Sequence, residues 1–392
     1  MEGAAMSGPR RSVLVLLLAV TALVLPTLAH AQTPEAKVSV AGPPSPYLPN
    51  AVNEPALAID ANHPTVLAGG GNDLVDSAPC NGSNCDLTPD IGISGIYFSL
   101  NQGESWVQPT YTGLTARSGT AQVGPINTLP WYYENGMSSH GDPALAFGPR
   151  PDANGTFSWA NGSRLYYANL AFPIPGRAPF TGASAAAVSR TDNVAAAAAG
   201  DKSAWMAPVI VTRQNAALLS DKEDIWADNA ATSRFFGNVY VCNTAFRSVG
   251  GPPEPIMLST SRDGGNTWRQ RQLTSATSNA QSGGRQGCAV RTDSTGTVYV
   301  VWEGTAGGQS VMYLARSFNG GSNFERPRPV ADVVDVGLPD PVSGRIVFDG
   351  LAGTRTDSFP SLGIANGAPT GAGATNTLVL AWPDARAGLN HE

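Results

Sequence analysis

The sequence predicts an all-β protein, a β-propeller of four-stranded antiparallel blades, and three observations carry that expectation. An eight-residue turn recurs at Ser99–Trp106, Ser261–Trp268 and Ser317–Phe324. The same order of short strands surrounds the copies, and self-similarity of this kind is the mark of a repeat architecture. The composition, with 44 Gly, 31 Pro and only 14% charged residues, suits many short strands joined by turns.

The turn is most complete at Ser261-Arg-Asp-Gly-Gly-Asn-Thr-Trp268. Ser261 and Asp263 are placed to bond back to nearby backbone N–H groups. Gly264 and Gly265 supply the positive φ that a tight hairpin needs. Thr267 completes the polar set, and Trp268 opens the next strand with a large surface to bury. At the first copy Ser99, Asn101, Gly103 and Trp106 hold these offsets, and at the third Ser317, Asn319, Gly321 and Phe324 do so. The copies begin 162 and 56 residues apart, close to a three-to-one ratio. In the gap, Ser189-Arg-Thr-Asp192 and Ser203-Ala-Trp205 read as one octet split by the Ala-rich stretch 195–199, taken as a loop insertion.

Each unit opens on an apolar strand: 55–59, 143–147, 224–227, 288–290 and 360–364. A turn and a second strand follow, at 66–68, 165–168, 239–242, 298–302 and 378–382. A third strand runs into the octet at 95–99, 256–260 and 311–315, and the aromatic residue opens a fourth. Nearly continuous apolar inner strands are those of a sheet covered on both faces. About four complete blades and a partial fifth are visible, so the strand count predicts a six-bladed type that is C-terminally truncated.

The octet resembles the Asp-box, or bacterial neuraminidase repeat, of the sialidase-like β-propellers. The resemblance implies that the octets are structural, joining the outer strands on the side away from the ligand face. It also implies a glycan-acting protein, an exo-glycosidase such as a sialidase if catalytic. True sialidases carry an Arg-Ile-Pro near the first blade, an arginine triad, a Tyr/Glu nucleophile pair and an Asp acid/base. Here the corresponding stretch reads Val52-Asn53-Glu54-Pro55-Ala56, without arginine, so the fold is carried over and the catalytic residues are not. The alternative is a non-catalytic cell-surface or matrix propeller that binds a glycan or protein.

Residues 1–31 read as a secretory signal peptide: Arg10 and Arg11, an apolar run from Val13 to Leu28, then Ala29-His30-Ala31. Residues 32–392 then form a single domain, secreted to an extracellular or periplasmic space. The net charge of −6 without a basic cluster argues against nucleic acid or anionic lipid as partner. No second apolar run is long enough to span a membrane. Four cysteines in an exported chain suggest two disulfides: Cys80 with Cys85 stapling one loop, Cys242 with Cys288 tying successive units. No ligand spacing calls for a metal or other cofactor. Calcium at the acidic loop 73–90 has no supporting motif.

If the octets lie on one face, the opposite mouth gathers the loops that enter each first strand and leave each second strand. These supply Asn53, Glu54, Asp73, Arg247, Arg285 and Arg386 as ligand-binding candidates. Asp142, Asp224, Glu303 and Asp384 are the carboxylates suited to glycosidic acid–base work. Arginine forks would grip a carboxylate ligand.

Overall fold

Each octet folds into the turn its residues dictate. In the second copy the Gly265 N–H donates to Ser261 Oγ at 2.8 Å and the Thr267 N–H to Asp263 Oδ1 at 2.9 Å. Trp268 Nε1 donates to the Gly265 carbonyl at 3.1 Å. The first copy repeats the set, with Gly103 to Ser99, Ser105 to Asn101 and Trp106 to the Gly103 carbonyl. The third keeps two members, Gly321 to Ser317 and Asn323 to Asn319. Only a side-chain acceptor is needed at the second polar position, so Asn serves as well as Asp. The glycine that donates to the serine has a φ of 90°, 86° and 79° in the three turns, a region costly for residues with a Cβ.

The computed structural model describes residues 35–39, 52–80, 87–212, 215, 218–247, 253–278, 282–340, 346–347 and 356–387. The expected leader and Cys85 lie outside them. The first blade is β1 (Val52–Ile59), β2 (Leu67–Asp73) and β3 (Ser94–Ser99), in that order. A fourth strand was expected after Trp106, but only isolated bridges form on β3, Phe98 with Val107 and Gly95 with Thr128. The chain turns instead into the hairpin of β4 (Tyr111–Thr115) and β5 (Gln122–Ile126). Pro109 stops the ladder, since proline has no N–H to give it.

The second blade comprises β6 (Met137–Ser139), β7 (Ala144–Pro151), β8 (Phe157–Pro173), β9 (Ala185–Thr191) and β10 (Trp205–Ile210), with β6 and β7 both paired to the long β8. The Ala-rich stretch between β9 and β10 is a single helical turn, α1 (Val194–Ala198), rather than a plain loop. Asn193 caps it by accepting from the Ala196 N–H.

The third and fourth blades are four-stranded: β11 (Leu218–Ala227), β12 (Val239–Arg247), β13 (Ile256–Ser261) and β14 (Arg269–Gln272), then β15 (Ser282–Thr292), β16 (Val298–Ala306), β17 (Gln309–Ser317) and β18 (Arg328–Asp332). A hairpin of β19 (Leu338–Pro339) and β20 (Ile346–Val347) precedes the two-stranded sheet of β21 (Ser361–Ile364) and β22 (Leu378–Ala381). Four antiparallel blades thus stand as a β-propeller.

The innermost strands β1, β7, β11, β15 and β21 pack in that succession, yet each belongs to a different sheet. The apolar residues sit between blades rather than inside one sheet. Ile96 and Phe98 of the first blade meet Leu145, Leu165 and Trp205 of the second. Tyr166 and Val188 meet Ile225 and Val241, and Tyr240 and Leu258 meet Val290 and Trp302. Each such fully buried side chain is worth about 1.5–3 kcal/mol. Trp268 and Phe324 of the octets pack against the second and third of these cores. A disulfide between Cys242 of β12 and Cys288 of β15, with Cα atoms 6.1 Å apart, ties the third blade to the fourth. Leu57 of β1 and Val379 of β22 remain 59% and 62% exposed. Among the described residues no further sheet covers them.

Candidate functional site

In successive blades the chain makes the same irregular step as it enters the innermost strand. Strand pairing slips between Asn53 and Ala56 in β1, between Asp221 and Asp224 in β11, and between Gln286 and Ala289 in β15. Within or beside each slip one residue takes a left-handed backbone: Glu54 at φ 50°, Lys222 at 53° and Gly287 at 59°. Asp142, immediately before β7, matches them at 51°. Such bulges re-aim side chains at the ends of strands. A left-handed Glu, Asp or Lys is costly enough to persist only where surrounding structure holds it.

These re-aimed side chains meet. Lys222 Nζ lies 3.0 Å from Asp142 Oδ2 and 3.3 Å from Glu54 Oε1, so three blades contribute to one ionic cluster. Asn72 Oδ1 fixes the approach by accepting from the Asp142 N–H at 2.7 Å. Burial opposes ionisation of Asp142, but the Glu54 carboxyl and the Lys222 ammonium outweigh it and hold its pKa down to about 2. Glu54 is pushed up, first by sharing a hydrogen bond with Asp142 and then by burial. Asp221 is raised to about 7 by burial, and then by Asp142 against the pull of Lys222. Burial alone would lower the Lys222 ammonium; Asp142, Asp221 and Glu54 raise it instead.

Glu303 centres a second group. Burial, then the carboxyls of Asp357 and Asp335 within hydrogen-bonding reach, lift its pKa to about 10. Asp357 is raised by burial too, and the charge of Lys222 reaches it. Glu303 pairs with Gln286 at the slip in β15, so it stands at the same end of its blade as the bulged residues do in theirs. Asp335 also accepts from Ser310 Oγ at 2.7 Å. Within β11, Glu223 is buried with neither carboxyl oxygen bonded. Burial and the nearby Asp142 push it far above the ordinary carboxylate range. Sequence reading missed Glu223 and Asp335 as site members. Asp357 was legible as an entering-loop acid; the other two carry no motif.

Other candidates are engaged elsewhere. Asn53 is exposed and sits opposite Asn72 in the β1–β2 pair. Asp73 is buried at the end of β2, accepting from Tyr97 Oη and Gln108 Nε2, both at 2.8 Å. It holds the first blade together. Asp224 accepts from Arg291 at 2.7 Å and from the Val290 N–H at 2.8 Å, joining the third blade to the fourth. Asp384 binds Arg386 at 2.7 Å and Trp382 Nε1 at 2.9 Å.

The arginines do not gather at the carboxylates as the sequence suggested. Arg285 is buried and donates to the Thr277 carbonyl at 2.8 Å. Arg386 spans Asp384 and the Asp332 carbonyl, and Arg247 is exposed at the end of β12. Arg247 ends β12, Arg386 lies beyond β22, and Arg285 sits in a separate slip of β15, between Gly283 and Gln286. Among the described residues Lys222 is the one basic side chain that bonds to these mouth carboxylates, and no group of three or more His, Cys, Asp or Glu is arranged to hold a metal ion. His140 stacks on Phe172 with ring centroids 3.7 Å apart.

No protein-family model matches the chain, and no curated protein matches it. Solved structures similar to it include a Hadza microbial sialidase, with 13% identity, TM-score 0.42, and cover of 80% of this chain and 49% of that one. A Penicillium chrysogenum alpha-L-arabinanase complexed with arabinobiose has 15% identity, TM-score 0.47, and cover of 88% and 78%. A leech intramolecular trans-sialidase has 10% identity, TM-score 0.42, and cover of 85% and 60%. The chain thus spans about half the length of the sialidase.

Proposed function

We propose that this chain is an exported propeller that binds a polyhydroxylated glycan at its acidic mouth and cleaves a glycosidic bond there. The observation that carries the reading is the opposed state of two mouth carboxyls: Asp142 is held ionised and Glu303 is held protonated. A pair of carboxyl groups whose surroundings drive their pKa values apart is the arrangement glycosidic acid–base chemistry requires. Glu303 then supplies the proton to the leaving oxygen, while Asp142 acts as base or nucleophile. Lys222 positions Asp142 and keeps it charged.

Among the described residues the mouth carries carboxyls and one lysine, without an arginine fork, and on these a neutral glycan suits it better than a sialic acid carboxylate. Export is supported by the leader pattern and by the Cys242–Cys288 disulfide, which persists in oxidising compartments. Among the described residues no helix is long and apolar enough to cross a membrane.

A panel of neutral and sialylated fluorogenic glycosides, run beside a glycan array, tests this. Turnover of a neutral glycoside is expected, falling about 10²–10⁴-fold in Asp142→Asn and Glu303→Gln. Turnover confined to sialosides, or unaffected by both variants, overturns the assignment. Array binding without turnover leaves the non-catalytic binding reading in its place.

A further inference from the structure

We propose that the cleft between the third and fourth blades, on the octet side, binds the sulfate or carboxylate groups of an acidic polysaccharide. The cleft has a volume of about 590 Å³ and lies between β14 and the turn at 317–324. Arg262, Arg269 and Arg271 line it together with Trp268, and no Asp or Glu does. In a chain of net charge −6 this is a local reversal of sign, and it corrects the expectation that no basic cluster exists.

The three guanidinium groups are exposed and lack an acidic partner. Arg117, Arg164, Arg291, Arg316 and Arg386 each pair with a carboxylate. Among the described residues Arg262, Arg269 and Arg271 form no such pair, and Arg262 donates only to Ser322 Oγ at 2.9 Å. Arg269 and Arg271 alternate with Gln270 along β14, so both point to one face, about 6–7 Å apart. Planar guanidinium forks at that spacing match oxyanions carried on successive sugar residues. Trp268 adds a flat apolar wall held in place by its bond to the Gly265 carbonyl.

Charged side chains on an outer strand also deter pairing with other chains. Edge protection alone accounts for neither the cleft nor the exclusion of acids from it. A long polyphosphate is disfavoured, because beyond the cleft it would run over an acidic protein. The cleft lies on the octet side, away from the mouth carboxylates, so the two sites fail or stand separately.

The test is calorimetric titration of the full-length protein with a sulfated glycosaminoglycan oligosaccharide, its desulfated counterpart and single-stranded DNA of equal charge. Binding of the sulfated chain is expected, with affinity reduced at least tenfold in the Arg269→Ala/Arg271→Ala variant and unchanged in Asp142→Asn. Affinity should fall with added salt as exposed charges are screened. Equal affinity of variant and parent, no binding of the sulfated oligosaccharide, or equal binding of the DNA each overturns the proposal. A far-ultraviolet spectrum of the double variant matching the parent's excludes misfolding as the cause of a loss.

Discussion

Lys222 reaches Asp142 from the adjacent blade, and both residues hold a left-handed backbone at the same point of entry into an innermost strand, with φ of 53° and 51°. The contact at 3.0 Å therefore joins two copies of one local irregularity. Lys222→Met should leave Asp142, Asp221 and Glu54 facing one another without a cation. A loss of about 1–3 kcal/mol in urea unfolding at pH 7 is expected. The Asp142 pKa is depressed in the folded chain, so its contribution is present above the unfolded carboxylate value and lost as pH falls through about 2. The gap between variant and parent should accordingly narrow below about pH 4. A gap that is constant down to pH 2 would contradict the pairing.

Glu303 gives the opposite sign. Its folded pKa, about 10, lies far above the unfolded one, so its stabilising influence is full at acid pH and declines as pH rises between them. Glu303→Gln stays neutral throughout. It should match the parent in thermal melts near pH 4 and exceed it near pH 8, and equal melting at both values would show that Glu303 ionises freely.

Gly287 is the fourth member of the bulge series, and a Cβ there would stand 2.5 Å from the Phe359 ring. Left-handed backbone strain adds to that overlap. Gly287→Ala should cost about 2–4 kcal/mol, read as a fall in melting temperature. A variant as stable as the parent would mean that the ring simply moves aside.

Opening the Cys242–Cys288 bridge frees a loop of 46 residues between the third and fourth blades. Replacing both cysteines by alanine should cost about 2–4 kcal/mol. Denaturant melts of the variant without reductant, beside the parent with and without reductant, measure it. Parent and variant coinciding in the absence of reductant would deny the bridge a role in stability.

The blade framework was legible because its signals are local. Ser261, Asp263, Gly265 and Trp268 each fill a turn position that few other residues satisfy, and the inner strands announce themselves as short apolar runs. The fourth strand of the first blade was not foreseeable from Trp106, because pairing there is decided by where Pro109 redirects the chain. The site was less legible. Glu54 and Asp142 each precede a proline, which in general favours extended backbone, yet both adopt the left-handed form, Glu54 within a bulge and Asp142 where Asn72 and Lys222 hold it. Glu223 looks like a surface acid in the run Asp221-Lys-Glu-Asp224, yet within β11 it is buried. The arginines were misplaced for a related reason. Residue type suggests a grip on anions, but direction is set by strand register, which composition does not record.

The recurring left-handed residue at 54, 142, 222 and 287 separates two jobs that an ordinary strand combines. At these points a side chain is held by its rim neighbours, as Lys222 is by Asp142, more than by the ladders on either side. Acid, acid, base and no side chain at all already occupy the four equivalent points. Ligand preference in this architecture can therefore drift by single replacements at the rim while the sheets beneath remain as they are.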